Sequence, residues 1–223
     1  MNILAIGAHP DDVELGCGAT LAAHTARGDS VALLIMTTGE QGPQAGCSRV
    51  REQEDAAEVL GARLFWGNFR DGAVPEERET VELIDAVLGE VQADLIYTHS
   101  LEDTHQDHRV TARMSLSAGR RTSRVLTYEA PTSRAFVPSL FVNVEGFMNK
   151  KLEALRAHHS QVLKNRLVDL EAIEAQARYR GFQARMRCAE AFGVQRFAWD
   201  LFPADPRADS ADRLLAAIGG DVL

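Results

Sequence analysis

The first half of the chain alternates short apolar runs with amphipathic stretches, and this rhythm restricts the fold more than any other feature. Asn2 to Ile6 is a β-type run that ends at Gly7. Ser30 to Thr37 is a second, Leu64 to Trp66 a short third, and Asp94 to Thr98 a fourth. Helical stretches separate them. One carries its apolar positions at Leu15, Ala19, Leu21, Ala22 and Ala26 and stops at Gly28; another runs from Arg49 to Leu60 and stops at Gly61; a third lies within Val74 to Val91. A fourth runs from about His108 to Ala118. Strands joined by helical crossovers pair in parallel with helices on both faces, and right-handed crossovers favour the order 3-2-1-4 of a doubly wound, Rossmann-like α/β sheet.

Thr38 to Ser48, TGEQGPQAGCS, has three glycines and a proline without apolar periodicity, so it reads as a long loop of the kind that often carries function. Beyond Arg124, VLTYEAP and SLFVNV read as strands, and Gly146 to His159 and Leu167 to Phe192 as helices. With no repeat and no linker, residues 1–223 are expected to form one domain.

The charge balance excludes one class of partner. With 24 basic against 32 acidic residues the formal charge is -8, the wrong sign for a nucleic-acid surface. Cys17, Cys47 and Cys188 are widely spaced and odd in number, which makes neither a disulfide framework nor a thiolate zinc knot. The opening MNILAIGAH has no signal-peptide pattern and no apolar run approaches 18 residues, so a soluble, cytoplasmic protein without a transmembrane segment is expected. A lipid-linked substrate is still within reach of such a protein.

Two runs carry the chemistry: His9-Pro10-Asp11-Asp12 directly after the first strand, and His105-Gln106-Asp107-His108 a few residues after the fourth. Open parallel sheets bind ligands beyond the C-terminal ends of their strands, where the strand order reverses, and strands one and four flank that point. Imidazole and carboxylate suit zinc, which in catalytic sites keeps three protein ligands and an open position. His9, Asp12 and His108 would supply that set. Pro10 stiffens the exit from the strand, so Asp12 can face the metal while Asp11 faces water, whose pKa zinc lowers from about 15.7 to roughly 7. His105 is the candidate oxyanion donor or acid, tuned by the Asp107 carboxylate. Fe2+ competes with Zn2+, because these ligands do not exclude it.

AIGAHPDDVELGCGATL and THSLEDTHQDHR resemble the LmbE-like or PIG-L type deacetylases, zinc-dependent enzymes acting on N-acetylglucosaminyl compounds. TTGEQG, RVREQEDAAEVLGA, FRDG, KLEALRAHHSQ, and RYRG with AEAF extend the resemblance over nearly the whole chain. It implies an LmbE-like fold, metal held by His9, Asp12 and His108, Asp11 as general base, and His105 supported by Asp107. It also implies an arginine that binds substrate at Arg49, with Arg51 a nearby competitor, and it allows an assembly of identical chains. Gln106 stands where many members have proline.

Asp103 is expected to steer the second histidine pair, and His99, at the end of strand four, to be satisfied by backbone. His24, His158 and His159 are expected away from the metal, and Cys17 to serve close packing. The implied substrate is a small or lipid-linked N-acetylated amino sugar. Two alternatives stand beside it: a metal-dependent amidase or deacylase on a different amide, and a non-catalytic nucleotide-binding domain. Asp11 and Asp12 speak against the latter, since pyrophosphate needs glycines and free backbone donors there.

Overall fold

The computed structural model describes residues 1–42, 49–162 and 168–199. Strand β1 (Asn2–Gly7) is followed by helix α1 (Asp12–Ala26), and β2 (Ser30–Thr37) by α2 (Arg49–Leu60). Next come β3 (Arg63–Phe69), α3 (Arg78–Val91), β4 (Leu95–His99) and α4 (Gln106–Ala118). After a short 3-10 turn, β5 (Arg124–Tyr128), β6 (Leu140–Asn143), α5 (Met148–Ala157), α6 (His159–Val162), α7 (Leu170–Gln183) and β7 (Ala189–Phe197) complete the described elements.

The strands form one sheet in the order β3-β2-β1-β4-β5-β7-β6. The first five are parallel and the last two antiparallel, so the expected order 3-2-1-4 is present within a mostly parallel α/β sheet. β1 is buried on both faces because its alternation is apolar twice over. Ile3 and Ala5 join Val13, Leu21 and Tyr97 on one side, while Leu4 and Ile6 join Met36, Ile84 and Met114 on the other. β1 and β4 are neighbours, and the segments leaving their C-terminal ends, residues 8–12 and 100–108, meet over the sheet at the topological switch point.

Close packing fixes the direction of α1. A Cβ on Gly16 would lie 2.1 Å from Cδ2 of Tyr128, whose hydroxyl donates to the Ile6 carbonyl at 2.8 Å. At Cys17 the helix departs from helical geometry (φ −145°, ψ 16°), and the buried Cys17 packs in the core as expected. The kink interrupts the helical ladder, and Glu190 accepts the N–H groups of Ala19 (3.1 Å) and Thr20 (2.7 Å). Lys151 Nζ completes this buried knot at 2.6 Å from Glu190 Oε1 and 2.7 Å from the Leu15 carbonyl.

The helix expected over Leu167 to Phe192 is corrected. Helix α7 ends at Gln183, Arg185 takes a left-handed conformation (φ 59°), and the chain returns as β7, so Ala189 to Phe192 is strand. Ala-Glu-Ala favours a helix locally, but pairing on both sides with β5 and β6 overrides that weak preference. Smaller differences are that β3 runs over residues 63–69, α3 begins at Arg78 and α4 begins at Gln106. Residues 43–48 of the expected loop, Leu167 at the start of the expected helix, and Cys47 lie outside the described residues.

Candidate metal centre

The two histidine runs come together above β1 and β4. Asp11 forms the N-terminal boundary of α1 in a left-handed conformation (φ 93°, ψ −24°), and the turn places Asp12 on the first helical position. The His9 N–H donates to Asp12 Oδ2 at 2.7 Å, locking the carboxylate. Oδ2 then lies 3.3 Å from His9 Nδ1, and Oδ1 lies 3.3 Å from His108 Nε2. The second nitrogen of each ring is anchored from behind. His9 Nε2 stands 3.1 Å from Asp71 and 3.2 Å from Asp107, and His108 Nδ1 stands 3.3 Å from both Asp103 Oδ2 and the Thr132 hydroxyl. Metal-binding histidines characteristically have one ring nitrogen tied to a carboxylate in this way.

The donor set fits a divalent ion. Contacts of 3.3 Å are long for N–H···O hydrogen bonds, but they match the edge of about 3.4 Å of a tetrahedron with bonds of about 2.0–2.1 Å. Among the described residues, three overlapping groups have donor atoms within 4.8 Å of one another: His9-His105-His108, Asp12-His99-His108 and His9-Asp71-Asp107. Each contains His9 or His108. Burial works to lower the His9 pKa, yet hydrogen bonds with Asp107, Asp12 and Asp71 outweigh it and push it up to about 12. His108 is likewise raised to about 9 against its burial, by Asp12 and Asp103. The carboxylates around these rings thus favour positive charge at the ring positions.

Asp11 differs from Asp12. Burial, reinforced by Asp12 and Glu14, pushes its carboxyl up to about 6, while Arg49 and His158 pull the other way. Asp12 is also buried, but His108, His99 and His9 hold it well below the usual carboxylate range. Two adjacent carboxylates are therefore driven apart in proton affinity, the signature of an acid–base division of roles.

His105 caps α4: its Nδ1 accepts the Asp107 N–H at 3.2 Å, and its own N–H donates to Asp103 Oδ1 at 2.8 Å. Burial and the neighbouring His108 and His9 rings lower its pKa, and because Nδ1 accepts a hydrogen bond, the neutral ring carries its proton on Nε2. The Asp107 carboxylate acts on His105 through its charge, which raises the ring's pKa against the stronger lowering effects. It accepts the N–H groups of Gly72 (2.8 Å) and Val74 (3.2 Å) and faces His9.

Arg49 and Arg51 share one helical turn and separate by face. Arg49 is 8% exposed, with Nη2 on the Pro10 carbonyl and 3.2 Å from Asp11 Oδ2. Arg51 is exposed and meets Glu54 and Asp55. Gly39 lies in the left-handed region (φ 65°), where a side chain is strained, and a Cβ there would stand 2.6 Å from Arg49 Nη1, so the guanidinium would have to shift. His99 accepts the Ala8 N–H at 3.1 Å, the backbone contact expected of it, and also stacks on His108 with ring centroids 4.0 Å apart. His24 meets Asp29 and Tyr97, and the buried His158 faces Glu14, both away from the cluster.

His9, Asp11, Asp12, Arg49, Asp71, His105 and His108 border a cavity of about 400 Å³. Residues 9–108 supply most of its lining, including Asp11, Arg49, Asp71 and His105, and Ala130, Pro131, Thr132, Gln161 and Val168 complete it.

Residues 4–118 match the family model described as PIG-L, GlcNAc-PI de-N-acetylase. The chain belongs to the PIG-L family. PIG-L relatives include the uncharacterized deacetylase YaiS of Escherichia coli (strain K12), 36% identical over 71% of this chain and 91% of that protein. Diacetylchitobiose deacetylase of Thermococcus kodakarensis is 27% identical over 72% of this chain and 70% of its own length. The crystal structure of the conserved protein TT1542 from Thermus thermophilus superposes with a TM-score of 0.81 at 26% identity, covering 92% of this chain and all of that one. The PIG-L match ends at residue 118, so it holds both histidine runs and Asp71 but leaves out the lining residues from Ala130 to Val168.

Proposed function

We propose that this protein is a divalent-metal-dependent N-deacetylase of GlcNAc-type sugar conjugates, with His9, Asp12 and His108 holding the metal. The observation that carries the reading is the clasp of Asp12 between two imidazoles, each anchored from behind by carboxylates, opening on a cavity bordered by Asp11 and His105. The bound ion, Zn2+ with Fe2+ as its competitor, supplies Lewis acidity and lowers the pKa of water from about 15.7 to roughly 7.

The residues of the chain do the rest. Asp11, steadied by Arg49, takes a proton from the attacking water as its oxygen bonds to the acetyl carbon. His105 presents its Nε2–H to the carbonyl oxygen, where negative charge builds. When the C–N bond breaks, Asp11 passes its proton to the leaving nitrogen, giving a free amine and acetic acid that ionises to acetate. Asp103 orients His108, and Asp107 with Asp71 orients His9. Arg49 borders the cavity as the cation that meets a sugar hydroxyl or phosphate. The amino-sugar partner is small or lipid-linked; no helix among the described residues is long and apolar enough to cross a membrane.

The test is acetate release from a panel of GlcNAc conjugates, longer-chain N-acyl sugars and non-sugar acetamides, with elemental analysis of the purified protein. Release from GlcNAc conjugates by metal-loaded protein is expected. Release confined to the other amides would replace the substrate class, and protein that neither binds metal nor cleaves any amide would overturn the reading. Asp11→Ala should keep its metal and lose about 10²- to 10⁴-fold in turnover; undiminished turnover would remove Asp11 from the base role.

A further inference from the structure

Behind Asp11 lies a fully buried polar cluster, Gln53, Glu14 and His158, that the proposed chemistry does not use. Asp11 is a non-glycine residue held in the left-handed region, a conformation that persists only where its surroundings enforce it. Its N–H donates to Gln53 Oε1 at 3.2 Å, and Gln53 Nε2 donates to Glu14 Oε1 at 2.7 Å. A carboxylate only accepts, so Glu14 dictates which way the Gln53 amide faces and turns its oxygen toward Asp11. The other Glu14 oxygen stands 3.6 Å from His158 Nε2. One helical turn before Gln53 on α2, Arg49 grips the same peptide through the Pro10 carbonyl and Asp11 Oδ2.

We propose that Gln53, locked in orientation by Glu14, is a positioning residue that holds the Asp11 backbone in its left-handed turn and so aims the carboxylate into the cavity. This rests on the reading of Asp11 as general base.

The test uses steady-state kinetics and metal content of full-length, metal-loaded variants. Gln53→Met preserves volume and removes both hydrogen bonds; Gln53→Glu sets a second carboxylate against Glu14. Each is expected to lower kcat by about 10- to 100-fold with KM and bound metal unchanged. The double variant Glu14→Gln with Gln53→Glu reverses the polarity of the pair, since the carboxylate introduced on α2 would accept from both the Asp11 N–H and the new amide on α1, and it should recover most of the loss. In an Asp11→Ala background Gln53→Met should have no further effect, because a residue acting only through Asp11 has nothing left to position. Wild-type kcat in both single variants, a loss confined to KM or metal content, or a folded double variant without recovery would each overturn the proposal. If Gln53→Met does not fold, Gln53→Glu and its rescue decide. Full turnover by Asp11→Ala would sink the general-base reading itself, whereas an inactive Asp11→Ala beside unaffected Gln53 variants would sink only the positioning role.

Discussion

Asp103 acts on the site from outside it. One oxygen accepts the His105 backbone N–H at 2.8 Å and the other stands 3.3 Å from His108 Nδ1, so a single carboxylate ties the start of α4 to the His108 ring. Asp103→Asn should therefore weaken metal binding by about 10- to 100-fold, read by competition with a chromophoric chelator; unchanged affinity would show that His108 orients itself. At this scale the sequence was most informative where spacing is short. His9, Asp11 and Asp12 are near neighbours in the chain, as are His105, Asp107 and His108, so convergence needed only one correct strand adjacency. Asp71 was not legible as part of the centre. Asp-Gly reads locally as a turn, and only the fold carries this one to within 3.1 Å of His9. Gln53 and Glu14 stayed hidden for the same reason, since a polar residue on a helix gives no sign of being buried. Arg49 and Arg51 were separated by packing alone.

Among the elements, α1 depends most on residues remote from it in the chain. Its kink at Cys17 leaves the Ala19 and Thr20 N–H groups to Glu190 on β7, and Lys151 on α5 balances that buried charge. Removing one partner strands the other, so Lys151→Met should cost about 3–5 kcal/mol, measured as a lower urea midpoint with an unchanged slope. Adding Glu190→Gln to Lys151→Met should cost less than the single change. A double variant worse than Lys151→Met would show that the carboxylate itself, as acceptor of the α1 amides, is the dominant part of the knot. The parallel strands were legible because each is an apolar run closed by a breaker. β7 was not, for its Ala-Glu-Ala segment favours a helix, and the partners that make it a strand lie elsewhere in the sequence.

For the whole molecule, the proposed cation site joins the segments that leave two central strands, and at least five carboxylates, Asp11, Asp12, Asp71, Asp103 and Asp107, crowd around it. Removing the ion with a chelator should lower the melting temperature, and restoring it should raise the temperature again with the logarithm of free metal, about 2.7 kcal/mol of stabilisation at a hundredfold excess over Kd. A melting temperature indifferent to chelator and metal would contradict a cation at this point. The division of the cavity's lining also has a consequence for how such a protein can diversify. The residues proposed as acid, base and cation holders all precede residue 109, whereas Ala130 to Thr132, Gln161 and Val168 of the lining come from a later stretch. The proposed chemistry and the later part of the lining are thus carried by different stretches of the sequence, joined where Thr132 meets His108 Nδ1 and Ser133 meets Asp103. A chimera that takes residues 129–170 from a relative should acquire that relative's preference among amides while cleaving them with this protein's own acid–base residues, a change read directly from the ratio of kcat/KM across the panel.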